Sequence, residues 1–253
     1  MLSWLNRRVP NGTHGGVRGR RLITASYSIK RIMNKKQIIR TVTLAAQAYH
    51  SNLEGRRLLF VYGNLGEVRK AMTGSDYLPL KAFSLDFRKE NFLHLTGLRL
   101  NPNRSLSPIY FYKKCLHNRL QEDDFVIGLD GSAEQKLDIL QSMMNIRSSA
   151  AMFGEFAYNR QRLYAQKVTG NIYGCIGFVH DDARNINVPN TLLKKDIRDV
   201  TGSSTQKVYA IYSRNFAEEK YTTAVKLDKC LQGTEIKLPK MISDMIDLCC
   251  EGR

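Results

Sequence analysis

The stretch Lys167-Val-Thr-Gly-Asn-Ile-Tyr-Gly-Cys-Ile-Gly-Phe-Val-His180 marks where the chain stops reading as helix and starts reading as sheet. Its second half is crowded with β-branched and aromatic residues, and Gly170, Gly174 and Gly177 break any helical run. Leu163–Val168 and Ile172–His180 are expected strands, followed by Ile186–Leu192, Val208–Ser213 and Tyr221–Leu227, with turns between them. Strands so short and closely spaced pair antiparallel, because a parallel pair needs a crossover of about a dozen residues. The glycines of Tyr173-Gly-Cys-Ile-Gly177 fit close packing or a bulge, since the rest of a dinucleotide fingerprint is missing.

Upstream the period is helical. Ile39, Val42, Ala46 and Tyr49 line one face of a helix over Lys36–His50, leaving Lys35, Lys36 and Arg40 wet. Arg57–Tyr62 reads as a strand, and residues 63–80 as mostly turn with a short helical piece. An apolar block follows from Ala82 to Leu100. Leu106–Leu120 has helical spacing with Pro108 in its first turn, and Phe125–Leu129 reads as a short strand. Ala133–Ile146 is the clearest helix, with Leu137, Leu140, Met143 and Met144 inward, and Leu238–Leu248 reads as a closing helix. Helices first and strands later imply an α+β fold: N-terminal helices, then a twisted, mainly antiparallel sheet of about four or five strands.

The chain carries 39 Lys and Arg against 23 Asp and Glu, a net charge of +16, which makes an anionic partner the first functional expectation. Residues 1–32 hold seven of these cations and no acidic residue, so they read as a basic arm or as a translated extension ahead of a start at Met33. Without those seven charges, +9 remains on residues 33–230, the expected domain, and on a tail at 231–253. No apolar run of membrane-spanning length is present, and five scattered cysteines without a C-x-x-C pair fit a reduced, cytoplasmic protein. No cofactor and no metal site is expected. Asp181-Asp182 would diverge on a strand, Cys175 sits among apolar residues, and Walker, H-E-x-x-H and G-x-S-x-G motifs are missing.

Two segments carry candidate chemistry. In Phe92-Leu-His-Leu-Thr-Gly97 an extended backbone would put Phe92, His94 and Thr96 on one face, where a hydroxyl can orient an imidazole or a phosphate. The alternative is a buried, hydrogen-bonded histidine. In Val188-Pro-Asn-Thr-Leu-Leu-Lys-Lys-Asp-Ile-Arg-Asp199, a helix beginning after Thr191 would align Lys194 and Arg198 as an anion grip beside Lys195, or else form a solvated turn. Lys167, Lys207, Tyr212 and Thr222 are further basic or hydroxyl candidates on the late strands. Such groups suffice for RNA cleavage by its own 2′-hydroxyl, which needs a base, cations on the phosphate and a proton donor for the leaving 5′-oxygen.

Glu90-Asn-Phe-Leu-His-Leu-Thr-Gly97, with Lys167–Val179, Val188–Arg198 and Val208-Tyr-Ala-Ile-Tyr212, resembles the fourth group of phage-associated barnase–EndoU–colicin–RelE-like nuclease domains, from about residue 37 to 228. The resemblance implies helices ahead of a twisted antiparallel sheet, with the active site on the sheet face. It also implies metal-independent RNA cleavage for a bacterial mobile element, as a toxin or effector with an immunity protein as a possible partner. By the family pattern His94 and Thr96 look like site residues, with Arg198 a weaker third. A noncatalytic nucleic-acid-binding protein of a phage or mobile element is the alternative expectation.

Overall fold

The computed structural model describes residues 33–74, 77–157, 165–232 and 238–248. In chain order the elements are α1 (Lys35–Asn52), β1 (Arg56–Gly63), α2 (Leu65–Ala71), β2 (Lys81–Phe87), α3 (Phe92–Thr96), β3 (Arg99–Leu100), α4 (Pro108–Leu116), β4 (Phe125–Val126) and α5 (Ser132–Met143). There follow α6 (Ile146–Ser149), β5 (Met152–Glu155), β6 (Lys167–Gly170), β7 (Cys175–Asp181), β8 (Ile186–Leu193), α7 (Ile197–Thr201), β9 (Gln206–Asn215), β10 (Thr223–Leu227) and α8 (Lys240–Ser243). The expected basic arm at 1–32 lies outside the described residues.

The fold is α+β, as the periodicities imply, but the sheet has eight strands rather than four or five. Its order is β2-β1-β9-β5-β6-β7-β8, with β10 also on β9, and every pair is antiparallel. The undercount has a physical cause. β1 and β2 lie among the helices in sequence yet join the late strands, because β9 pairs along the whole of β1. The other edge of β9 is shared, with Gln206 and Lys207 on β5 and Ala210–Ser213 on β10. Helices are therefore interspersed with strands instead of preceding them. The expected strand at Phe125–Leu129 shrinks to β4, which pairs only with β3 outside the main sheet. The expected C-terminal helix shrinks to α8, after which Ile246 bridges to Tyr221.

The sheet curls until β8 meets β2, and rings from non-adjacent strands then touch on its inner face. Phe83 of β2 lies 5.2 Å from Phe153 of β5 and 6.1 Å from Phe178 of β7. Tyr62 of β1 stacks on Phe153 at 4.1 Å. Along the same inner face the helix layer adds Ile38, Val42, Phe92, Phe111, Leu137, Leu140 and Met143, all nearly devoid of exposure. Burying each large apolar side chain contributes about 1.5–3 kcal/mol.

Tyr49 ties the helices to the sheet. Its ring meets Phe87, Phe92 and Tyr112 edge-on at 6.1, 5.3 and 5.7 Å, and its hydroxyl donates to the Arg88 carbonyl at 2.8 Å. Beside it Glu54 accepts from the Tyr112 hydroxyl at 2.6 Å, with His50 at 2.5 Å and Lys89 at 3.3 Å. Burial alone would raise the Glu54 pKa, but those hydrogen bonds outweigh it and hold the carboxyl below its ordinary value. A depressed carboxyl stabilises fully above its unfolded pKa of about 4.3, and that stability disappears as pH falls through the folded value. Glu54→Gln is therefore expected to cost about 1 kcal/mol at neutral pH and to flatten the acid limb of stability against pH. Urea melts between neutral pH and pH 3 measure both, and an unchanged acid limb would contradict this account.

Candidate functional site

The inner face of β5, β6 and β7 brings an acid, a cation and an imidazole together. Glu155 stands directly opposite Lys167, and Lys167 directly opposite Phe178. Side chains two apart on a strand share a face, so His180 lies on the same side as Phe178 and is a diagonal neighbour of Lys167, about 7–8 Å away by Cα. The Lys167 ammonium sits 4.8 Å over the Phe83 ring. Burial and then the Glu155 carboxylate push the nearby Tyr62 phenol above its ordinary value, which keeps it protonated. The floor of the site is thus aromatic, and Glu155, Lys167 and His180 share its face.

Local chemistry fixes which nitrogen of His180 is basic. Asn187 of β8 donates its amide to the Ser84 carbonyl at 3.0 Å. A carbonyl only accepts, so the amide nitrogen must lie on that side and Oδ1 must face His180 Nδ1, 3.1 Å away. Nδ1 therefore carries the proton and Nε2 is left with the lone pair. Asp182 Oδ1 is 3.7 Å from Nε2, but its side chain is fully exposed and its pull is weak. A half-buried imidazole of fixed tautomer is a group that can take or give one proton at one atom.

β7 owes its position to Gly177. A Cβ there would meet Ala165 Cβ and Thr191 Cγ2 at 2.9 Å, and the bulge beside it, between Gly177 and Phe178, sets the register that pairs His180 with Asn187. Both of the expected roles for this glycine, packing and bulge, are met at this position.

The expected site residues are spread more widely. Residues 92–96 are helical, so His94 and Thr96 do not share one extended face. The left-handed Gly97 (φ 72°) closes that helix, and a Cβ on it would strike Lys136 Cδ at 2.8 Å. Thr96 is buried, its hydroxyl donating to Leu93 O at 2.7 Å and accepting from Leu98 N at 3.1 Å. His94 is exposed, and Lys136 donates to its carbonyl at 3.4 Å. Surrounding protein and then the Lys136 charge hold its imidazole below the ordinary pKa, hence neutral at pH 7.

Lys194 and Arg198 do not align on a helix, because β8 runs through Leu193 and α7 starts only after the Asp196 N-cap. Lys194 instead pairs with Asp138 of α5, and Arg198 with Asp196 at 2.6 Å. Lys195 is exposed. Lys207 pairs with Asp228 at 2.6 Å and lies over Tyr209. Tyr212 is buried among apolar neighbours on the opposite face of the sheet, and Thr222 donates to Glu218 at 3.3 Å. Cys175 is buried and its thiol is pushed up to about 12. Among the described residues no three His, Cys, Asp or Glu side chains are grouped as a metal ion requires, and no helix is long and apolar enough to cross a membrane.

His180 and Glu155 were not among the expected site residues. The alternation Ile176, Phe178, His180 was the available signal for the first. Nothing local marks Glu155, whose partner is set by pairing across β5 and β6.

Residues 41–230, which include all of these positions, match the model of the family described as phage-Barnase-EndoU-ColicinE5/D-RelE like nuclease4, and the chain belongs to that family. No curated protein and no solved structure matches it.

Asn187→Ala removes the acceptor for His180 Nδ1–H. Long-range 15N–1H NMR at alkaline pH should show the Nδ1–H tautomer in the native protein and a mixture in the variant, with a stability loss of about 1 kcal/mol. A dominant Nε2–H signal in the native protein would refute the assignment.

Proposed function

We propose that this member of that nuclease family cleaves RNA by 2′-hydroxyl transesterification on the inner sheet face, without a metal ion. One observation carries the reading: His180, its tautomer set by Asn187, shares that face with Lys167 and Glu155. The 2′-oxygen attacks phosphorus as one of the two proton-exchanging groups, Glu155 or His180 Nε2, accepts its hydrogen. The P–O5′ bond breaks as the other donates a proton to the leaving oxygen, and a 2′,3′-cyclic phosphate remains. Lys167 faces the charge that builds on the phosphate oxygens. In the same reading Lys194, Lys195, Arg198 and Lys207 add to the field that draws RNA in, and action as a mobile-element toxin or effector belongs to this proposal.

His94 supports a second reading, with the chemistry on α3. It is an exposed imidazole held neutral beside Lys136, suited to accept a proton, with Thr96 holding the end of its helix. Thr222 and the buried Tyr212 would then act at most through their neighbours.

Incubating the full chain with mixed RNA in EDTA separates the readings. We expect cyclic-phosphate ends from the native protein and a rate loss of about 100-fold or more for His180→Ala. Lys167→Gln is expected to lose a comparable factor, and His94→Ala to stay within about threefold of the native rate, the exposed-surface expectation. Activity lost in His94→Ala and kept in His180→Ala would move the site to α3. Intact RNA with salt-sensitive binding would instead make this a noncatalytic nucleic-acid-binding protein.

A further inference from the structure

A second cationic constellation lies on the other face of β2. Phe83 points to the inner face, so its neighbours Ser84 and Asp86 point outward. Asp86 is 1 % exposed and Arg57 grips it with Nε and, at 2.9 Å, with a terminal nitrogen; Arg88 reaches it at 3.3 Å. Across β1 the row continues, with Arg57 directly opposite both Asp86 and Arg214. Two rings brace the outer guanidinium groups: Arg88 lies 4.8 Å over Phe216 and Arg214 lies 5.4 Å over Tyr221. The Tyr221 hydroxyl meets Ser84 Oγ at 2.7 Å.

The charges in this cluster do not balance. Two guanidinium groups grip one carboxylate while the third, Arg214, hydrogen-bonds Tyr221 instead, and the nearby Glu218 is turned to the Asn215 amide at 2.8 Å and to Thr222. Arg57 and Arg88 keep 26 % and 30 % of their side-chain surface open, while the Nε atoms of Arg88 and Arg214 are buried without a hydrogen-bond partner. Fixed, partly open guanidinium groups suit a tetrahedral oxyanion, since their planar forks match phosphate oxygens.

We propose that Arg57, Arg88 and Arg214 form a phosphate-binding site for the RNA backbone, on the sheet face opposite His180 and remote from the bond that is cut. The site holds the strand without taking part in cleavage. It deepens the RNA reading above but does not need cleavage to occur.

Fluorescence anisotropy with a labelled 2′-O-methyl oligoribonucleotide, which lacks the attacking hydroxyl, reads binding alone. Absence of cleavage would therefore leave the outcome readable. Arg88→Gln and Arg214→Gln are each expected to weaken binding about fivefold near 0.1 M salt and to reduce the slope of log affinity against log salt by about 1. Arg214→Lys should restore most of that slope. Arg40→Gln, on the exposed face of α1, controls for diffuse charge and should have a smaller effect. Circular dichroism and thermal melts identify which glutamine variants are folded, and Arg57 and Asp86 stay intact in all of them. Folded variants with native slope and affinity overturn the proposal, as does an equal loss in Arg40→Gln. If both glutamine variants unfold, a folded Arg88→Lys, Arg214→Lys double variant is expected to keep the native slope but to bind several-fold more weakly, because lysine lacks the planar fork, and native affinity in it overturns the proposal.

Discussion

A backbone carbonyl can only accept a hydrogen bond, and the carbonyl of Ser84 therefore dictates the arrangement around it. It faces the outer edge of β2, where a further strand would supply an amide. Pro189 lies in the strand that arrives there, β8, and has no N–H to give. The Asn187 side chain supplies the donor instead, at 3.0 Å. This one contact joins the two ends of the curled sheet and at the same time turns the amide oxygen toward His180. The same side chain thus takes part in closing the fold and sets the protonation pattern of the imidazole. An edge strand carrying proline is also poorly suited to recruit another chain.

Closure of the sheet requires something to fill the space inside it, and aromatic rings do so in two tiers. At one end Tyr62, Phe83, Phe153 and Phe178 meet across strands that are not neighbours. At the other, Tyr49 gathers Phe87, Phe92 and Tyr112 from β2, α3 and α4. Rings reach farther than aliphatic side chains and gain about 0.5–1.5 kcal/mol per well-placed pair beyond their buried area. The helical tier is sealed by apolar side chains and the Glu54 hydrogen bonds, whereas the strand tier ends in Glu155, Lys167 and His180. Polar groups at the rim of an otherwise dry, rigid interior are held still without being desolvated completely.

Much of this was legible in the sequence, and the misses have identifiable causes. The late strands, α1, α5 and the helix around Pro108 follow from period, glycine and proline signals that act locally. Met152–Glu155 escaped because four residues are too few to display alternation. Phe92–Thr96 was open to an extended reading for the same reason, although Gly97, which takes a left-handed turn at the helix end, was the signal for a short helix. Thr191–Arg198 mimics helical spacing, yet β-pairing with β7 holds the segment extended to Leu193 before Asp196 caps α7. Glu155 and Asn187 owe their roles to partners across the sheet. Pairing register is a tertiary property, and no local pattern encodes it.

Charge was the most conspicuous feature of the sequence, and the structure changes what it means. Lys194, Arg198 and Lys207 each have a carboxylate partner, so they add less to a directed grip than their number suggests. Such pairs break and re-form easily at an exposed surface, and salt screens them within about 10 Å. Arg57 and Lys167 are held differently. A buried aspartate anchors the first and an aromatic face the second, and both are partly shielded from solvent. Long-range attraction for a polyanion comes from the whole excess of cations, but orientation comes from the few that cannot move. In the cleavage we propose, a strand of RNA drawn in by the former is aligned by the latter, and only that alignment brings a particular phosphate within reach of one proton-exchanging nitrogen.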